Sequence, residues 1–249
     1  MKKKKIALDA DYLIFQATEG KHTKGNFFAN EKLDKSTLKE YKEKVKREIA
    51  HVMDEIAAAY PGEVKGIKAF FSDPDSNFRY ELEPEYKANR KSGDRSELYY
   101  MLRKWAIKKY GYVKDCEADD VVAYYVREKG WFGASFDKDL LRGVPGRWFN
   151  VHYMRRNFVD TSVGEARNFN LLQTLMGDPV DNIKGLPRVG EKTAIKLLDK
   201  YGWDWDGVLA AYEEKGLTEE DAILTRRLIG LDQWTPKKGV KLYGPSTNK

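Results

Sequence analysis

Short apolar runs of this chain end again and again in acidic residues, and this pattern constrains the fold more than any other feature. The predicted strands and the carboxylates that follow them are Lys5–Leu8 with Asp9, Gly66–Phe71 with Asp73, and Trp131–Phe136 with Asp137. Segments with helical spacing lie between them, including Leu38–Tyr60 and Glu117–Lys129. Strands that alternate with helices are typical of an α/β protein. We therefore predict a central, mostly parallel sheet that is flanked by helices.

After about residue 161 the apolar spacing becomes helical throughout. The helices predicted there are 168–176, 191–201, 203–212 and 219–229. A turn rich in Gly and Pro, 185–190, precedes the second of them. We therefore predict an α/β domain over residues 1–164 that includes a basic segment at about 85–110, a helical region over 165–235, and a basic tail over 236–249.

The composition excludes several classes of protein. A single cysteine, Cys116, rules out an internal disulfide framework and a four-thiolate zinc site. No apolar run approaches the roughly 20 residues that span a bilayer. The lysines that follow Met1 resemble the start of a signal peptide, but Asp9 and Asp11 interrupt the apolar stretch behind them. We expect a cytoplasmic protein with no membrane association.

Carboxylates gather where a metal site would form. The acidic groups are Asp9 with Asp11, Asp73 with Asp75, Asp137 with Asp139, and the helix start Glu117, Asp119 and Asp120. The carboxyl ends of parallel strands meet at one edge of a sheet. Crowded carboxylates repel unless a cation neutralises them, and all-oxygen ligands suit Mg²⁺ or Mn²⁺. Two such ions are a standard device for cleaving phosphodiesters.

Each acidic pair also has an ordinary structural explanation. Asp and Glu at strand ends and helix starts form turns, cap helices and interact with the helix dipole. Asp11 and Asp75 fit this structural explanation. The repetition of the pattern at four places favours the metal site for the set as a whole.

Two segments carry the positive charge that an acidic polymer would need. Residues 86–110 hold eight basic residues against two acidic ones, with Tyr86, Tyr99, Tyr100 and Trp105 among them. Cations for phosphates and aromatic rings for unstacked bases suit single-stranded nucleic acid, although a solvated helix face fits the composition equally. The turn 185–190 followed by Lys192 and Thr193 predicts an anion site at a helix start, or an ordinary connection between two helices.

Six segments, in this order along the chain, resemble the 5′-nuclease family of phage 5′→3′ exonucleases, flap endonucleases and the 5′-nuclease domain of bacterial DNA polymerase I. They are Leu8-Asp9-Ala10-Asp11, Phe71-Ser72-Asp73, Tyr86-Lys87-Ala88-Asn89-Arg90, Glu117-Ala118-Asp119-Asp120, Phe136-Asp137-Lys138-Asp139-Leu140, and Gly177-Asp178-Pro179-Val180-Asp181-Asn182-Ile183 running to Gly190-Glu191-Lys192-Thr193-Ala194. The resemblance implies a PIN-like nuclease fold with a helical arch and a helix–three-turn–helix element that binds DNA.

The resemblance also implies roles for individual residues. The first metal ion would be held by Asp9, Asp73, Glu117 and Asp119. The second would be held or supported by Asp120, Asp137, Asp139 and Asp181, with Asp178 nearby. Two catalytic cations, Lys87 and Arg90, would face the scissile phosphate, and Tyr86 would stack on a base. The other expected DNA contacts are Lys91, Arg188, Gly190, Lys192 and Thr193.

The chain departs from the family pattern at two of these places. The usual Phe-Asp-Gly is here Phe71-Ser72-Asp73, so we choose Asp73 as the ligand, with Asp75 as a substitute. Arg188 stands where the family has a glycine in the turn that binds K⁺ through its carbonyls. The arginine has the chemistry to contact phosphate itself.

Taken together, these features predict a 5′→3′ exonuclease or flap endonuclease that cleaves DNA near 5′ ends or single-strand/duplex junctions. Two Mg²⁺ or Mn²⁺ ions would serve the reaction, and K⁺ would bind at the turn 185–190. We expect a monomer that works with a replicative polymerase, in the host cytoplasm if a phage encodes it. The alternatives are a PIN-type metal-dependent ribonuclease and a non-catalytic DNA-binding protein on the same scaffold.

Overall fold

The computed structural model describes residues 3–19, 35–90, 95–152 and 154–244, so the predicted DNA contact Lys91 lies outside the described residues. Within these ranges one sheet has five strands in the order β2-β1-β3-β4-β5. The strands are β1 (Lys4–Asp9), β2 (Val64–Phe70), β3 (Phe132–Ser135), β4 (Gly146–Asn150) and β5 (Asn157–Thr161). Neighbouring strands are parallel except β4 and β5. The prediction of a central, mostly parallel sheet is confirmed.

Helices cover both faces of this sheet. The helices of the α/β part are α1 (Asp11–Glu19), α2 (Lys35–Ala59), α3 (Arg79–Leu82), α4 (Glu97–Tyr110), α5 (Ala118–Lys129) and α6 (Lys138–Gly143). Successive side chains of a strand point to opposite faces. Ile6 and Leu8 of β1 therefore pack with α1, α2 and α4, whereas Ala7 packs with α5 on the other side.

The basic segment 85–110 contributes one helix, α4, that packs on this domain. Leu98, Leu102 and Ala106 of α4 are buried in the core shared with α1 and α2. The helical spacing of the segment is therefore that of a core helix with a basic outer face. Residues 85–90 form a separate turn before it, which lies beside a cavity at the edge of the sheet.

The helical region packs around a core of its own. Its helices are α7 (Val163–Met176), α8 (Glu191–Tyr201), α9 (Trp205–Glu214) and α10 (Glu219–Ile229). Leu175, Leu198 and Val208 are completely buried in this core. The short strands β6 (Gly177–Asp178) and β7 (Ile183–Lys184) form a hairpin between α7 and α8. The division between the two regions at residue 164 stays a prediction.

Several elements were not predicted from the sequence, including helix α1 and strand β5. Near the predicted basic tail, the short strands β8 (Trp234–Thr235) and β9 (Gly239–Val240) pair with each other. Among the helices that the structure describes, none has the length and apolar character needed to cross a membrane.

Candidate active site

A cavity of about 280 Å³ opens at the edge of the sheet where β1, β2 and β3 end. Acidic side chains from four places in the chain line it: Asp9, Asp11, Glu117, Asp119, Asp137, Asp139 and Asp181. The sequence explains their convergence, because β1 and β3 are parallel neighbours and α5 begins beside them. The serine that ends β3, Ser135, donates a hydrogen bond to Asp9 and accepts one from the backbone of Asp137, each of 3.0 Å.

The carboxylates at the centre of the cavity are difficult to ionise together. Burial, with the charges of Asp11 and Asp137, raises the pKa of Asp9 to about 7. Burial, with the charges of Asp9 and Asp137, holds the pKa of Asp119 well above its usual range. Burial and the charge of Asp137 likewise raise the pKa of Asp139 to about 7. Each added negative charge makes the next more costly, so the cavity favours a bound cation.

Two cationic side chains enter the same cavity from the turn 85–90. Lys87 hydrogen-bonds to Glu117, and Arg90 hydrogen-bonds to Asp181. Burial opposes ionisation of Glu117, but the charges of Lys87 and Arg79 overcome it and lower its pKa to about 2. The acidic residues of the cavity thus fall into two sets, one neutralised by protein cations and one, centred on Asp119, that is not.

The donor chemistry of the second set fits a hard divalent cation. Its ligands are carboxylate oxygens, which suit Mg²⁺ and Mn²⁺. In the described part of the chain no three Asp, Glu, His or Cys side chains are already close enough to enclose an ion. The contacts of Lys87 and Arg90 account for part of this, since they occupy Glu117 and Asp181. Metal binding would require these side chains to exchange partners.

Three acidic residues predicted as metal ligands do not line the cavity, namely Asp73, Asp178 and Asp120. Asp73 accepts hydrogen bonds from the backbone N–H of Asp75 (2.9 Å) and of Asp115 (2.8 Å), which turns it into the loop after β2. Asp178 is buried, accepts from the backbone of Val180 and lies 3.2 Å from the Lys138 ammonium. Their places at strand ends fit the prediction, but other hydrogen bonds and an ion pair hold their carboxylates elsewhere.

Asp120, a predicted ligand of the second metal ion, is paired with an arginine in the structure, and its metal-binding role stays a prediction. It is 1% exposed, and both of its oxygens accept hydrogen bonds of 2.8 Å from the Arg79 guanidinium. Asp120 also accepts from the backbone N–H of Glu117, which completes the N-terminal cap of α5. The residue therefore orients the helix that carries Glu117 and Asp119, and its own charge is already paired.

The stacking of Tyr86 on a base stays a prediction, and in this structure the side chain packs inside the protein. The residue is 3% exposed, its ring packs edge-on against Tyr80, and its hydroxyl donates a 2.8 Å hydrogen bond to Glu117. Exposed aromatic rings at the cavity come from other segments. Phe15 is 43% exposed and Phe136 is 46% exposed.

The turn 85–90 is fastened to the loop that connects β6 and β7. The backbone N–H of Lys87 donates to the Asp181 carbonyl at 2.8 Å, and the Asn89 amide donates to the Pro179 carbonyl at 2.7 Å. In return the Asn182 amide donates to the Glu85 carbonyl at 2.8 Å. Lys87 and Asn182 both adopt left-handed backbone angles, with φ of 58° and 57°. The helical region therefore sets the position of the two cations.

The predicted anion site at the start of α8 is open to solvent. Gly190 is the N-cap residue, and nothing lies within 4 Å of where its Cβ would be. Lys192 and Thr193 are exposed on the first turn, and Arg188 is exposed just before it with φ of 62°. Sequence reasoning missed Lys196, which is exposed one turn beyond Lys192 on the same helix face.

Sequence reasoning also missed residues that shape the cavity. Arg79 lies at its wall, 1% exposed, and Arg95 and Tyr99 line it from the start of α4. Arg79 had one signal in the sequence, since a lone arginine between Phe78 and Tyr80 needs a partner when it is buried. The partner itself, Asp120, follows 41 residues later and is visible only in the fold.

Comparison with known proteins first defines the class. A family model described as 5′-3′ exonuclease, C-terminal SAM fold, matches residues 165–236. The T5 5′-exonuclease solved with zinc ions, from bacteriophage T5, superposes with a TM-score of 0.64 at 21% identity, over 92% of this chain and 90% of that one. This likeness shows that the fold is that of a 5′-nuclease.

Sequence relatives agree with the fold. DNA polymerase I of Rhizobium leguminosarum is 32% identical over an alignment of 188 residues. The match covers 64% of this chain and 17% of the polymerase. The 5′-3′ exonuclease of Buchnera aphidicola is 31% identical over an alignment of 168 residues, and the match covers 60% of this chain and 58% of the exonuclease. The matches thus span only part of these relatives. Together with the fold and the family model over residues 165–236, they support a relationship to the 5′-nuclease family.

Proposed function

We propose that the protein is a metal-dependent 5′-nuclease that hydrolyses DNA phosphodiesters near 5′ ends or at single-strand/duplex junctions. The observation that carries the proposal is the pairing of two opposite features in one cavity. Buried carboxylates around Asp119 need a cation, and beside them Lys87 and Arg90 enter from the turn 85–90. In metal-dependent hydrolysis of a phosphodiester, divalent cations activate the attacking water, and positive side chains stabilise the charge that develops on the phosphate.

Each set of residues has its own task in this proposal. Asp9, Asp119 and Asp137 would hold divalent ions, which supply water activation and charge neutralisation when bound. Glu117 and Asp181 would join them once Lys87 and Arg90 have moved to the phosphate. The two cations would then stabilise the negative charge that develops on the phosphate oxygens in the transition state. The exposed rings of Phe15 and Phe136 offer faces on which an unpaired base can stack.

The start of α8 would hold the duplex behind the cleavage point. This helix start has no side-chain cap, and with the exposed Arg188 and Lys192 it offers a positive surface of the kind that contacts phosphates without reading sequence. We propose Mg²⁺ or Mn²⁺ as the resident ion. The same proposal includes K⁺ at the turn 185–190 and a polymerase as a working partner. The similarity to DNA polymerase I of Rhizobium leguminosarum motivates the proposal of a polymerase partner.

The experiment is product sizing on a 5′-labelled flap DNA with Mg²⁺, with and without EDTA. Asp119→Ala and Asp137→Ala should each abolish Mg²⁺-dependent cleavage, by about 1000-fold or more, while DNA binding stays largely intact. Asp160→Ala is the matched control, because this aspartate is exposed on β5. Near-normal turnover of either cavity variant would contradict the metal assignment. Cleavage of single-stranded RNA in preference to the flap would favour the ribonuclease alternative.

Lys87→Ala tests the role of the turn 85–90. We expect turnover to fall by about 100-fold or more, with duplex binding nearly unchanged, because the lysine would act on charge in the transition state. Single-turnover kinetics at saturating DNA measure this directly. Weaker binding with normal turnover at saturation would make Lys87 a positioning residue only.

A further inference from the structure

Strand β2 delivers no carboxylate to the cavity. Asp73 is held in the loop by the backbone N–H groups of Asp75 and Asp115. The residue of this strand exit that does line the cavity is Ser72. Its hydroxyl accepts a 2.9 Å hydrogen bond from the backbone N–H of Ala118, at the start of α5. The cavity thus lacks the acidic group expected between β1 and α5.

Asp11 stands at this gap. It lines the cavity, and its Oδ2 accepts a 3.1 Å hydrogen bond from the backbone N–H of Ser72. The carboxylate is close enough to Asp9 and Glu117 for the charges to act on one another. Its position is fixed, because α1 begins at Asp11 and is anchored in the core by Leu13 and Ile14.

We propose that Asp11 is a metal-binding residue that replaces the carboxylate missing from the end of β2. The proposal rests on the proposed function of the site and adds a ligand to it. A carboxylate from the first turn of α1 would thus take the place of one from the end of β2, since Asp11 lines the cavity beside Ser72. Asp73 then has a structural role in the loop after β2.

The test measures Mn²⁺ binding to the full chain without DNA, by the loss of the free Mn²⁺ signal in electron paramagnetic resonance. Asp11→Asn should weaken the tighter Mn²⁺ dissociation constant by about tenfold or more, since even residues that only orient metal ligands typically cost about that much. Asparagine retains the oxygen that accepts from Ser72, so the hydrogen bond survives the substitution. Asp73→Asn should leave the constant within about twofold of the unsubstituted chain.

A compensating substitution separates ligation from structure. Ser72→Asp in the Asp11→Asn background returns a carboxylate to the gap, and it should recover most of the lost affinity. A residue that only stabilised α1 would not be rescued in this way. If Asp11→Asn does not fold, as judged by circular dichroism, then Asp11→Ser serves as the second variant with the same expected loss.

The outcomes distinguish this inference from the proposed function. If the unsubstituted chain binds no Mn²⁺, both fail. If Asp119→Asn abolishes binding but Asp11→Asn binds within twofold of the unsubstituted chain, only the role of Asp11 is overturned. A tenfold loss with Asp73→Asn and none with Asp11→Asn would restore the ligand expected from the sequence.

Discussion

The cavity at the sheet edge and the core of the helical region are built on opposite principles. In the helical region apolar side chains such as Leu198 and Val208 are completely buried, and the starts of α7 and α10 are closed by capping boxes. In the cavity, carboxylates face one another and burial raises the pKa of Asp9 and Asp139 to about 7. The first arrangement stabilises the fold, whereas the second costs stability.

The difference shows that the molecule loses stability at the cavity, the site that we propose is functional. Like charges in a buried site destabilise a protein unless something pairs with them. Here Lys87 and Arg90 of the turn 85–90 pair with two of the carboxylates. Hydrogen bonds to the loop between β6 and β7, which lies in the helical region, hold this turn in place. The well-packed region therefore supports the strained one.

The strongest test of this dependence is Arg79→Met. Arg79 joins the two regions, because its guanidinium pairs with Asp120 and donates to the carbonyls of Leu228 (2.7 Å) and Gly230 (3.0 Å). Its loss leaves the Asp120 carboxylate buried without a counterion, so we expect the free energy of unfolding to fall by about 3–5 kcal/mol. Urea unfolding measures the change.

Arg142→Met is the matched control. Arg142 also bridges the two regions, but its 3.1 Å contact with Glu191 is half exposed. We expect a loss of about 1 kcal/mol or less. Equal losses for the two variants would mean that the buried pair does not hold the regions together.

The second test is the pH dependence of Asp139→Asn in EDTA. The folded state binds the Asp139 proton more tightly than the unfolded state, because burial and the charge of Asp137 raise its pKa from 3.8 to about 7. As the pH rises from 4 to 7 the original chain therefore loses stability that the variant keeps. The variant should be more stable at pH 8 by on the order of 2 kcal/mol and nearly equal at pH 4. The same difference at both pH values would refute the assigned pKa.

The smallest expected effect is that of Arg188→Gly in the helical region. Arg188 has φ of 62°, a conformation that favours glycine, so the variant should be as stable as the original chain or more stable by up to about 1 kcal/mol. Duplex binding should weaken, and the slope of log affinity against log salt should fall by about 1, as expected for one lost phosphate contact. Arg188→Lys should keep the slope. An unchanged slope in the glycine variant would remove Arg188 from the DNA interface.

Much of the architecture was predictable because local rules govern it. The parallel strands, the helices α8 and α10 and the left-handed Gly130 that ends α5 follow from apolar spacing and capping preferences. The same rules placed Asp9, Asp119 and Asp137 at strand exits and a helix start. The sequence thus predicted that carboxylates would gather at one edge of the sheet.

The direction of individual side chains was not predictable, because distant partners determine it. Asp73 turns away from the cavity since Asp115 binds its carboxylate. Tyr86 is buried because its hydroxyl meets Glu117. Such partners lie 31 or more residues apart in the chain, where no local pattern relates them.

By itself, the sequence predicted most of the strands and helices, the kind of chemistry and the family resemblance, since periodicity and short motifs encode these locally. Only the tertiary structure decided which carboxylates face the cavity, which are paired with arginine, and how Asp11 comes to stand beside Ser72. The reason is physical: the pairing of buried charges depends on distances of a few ångström between segments far apart in sequence.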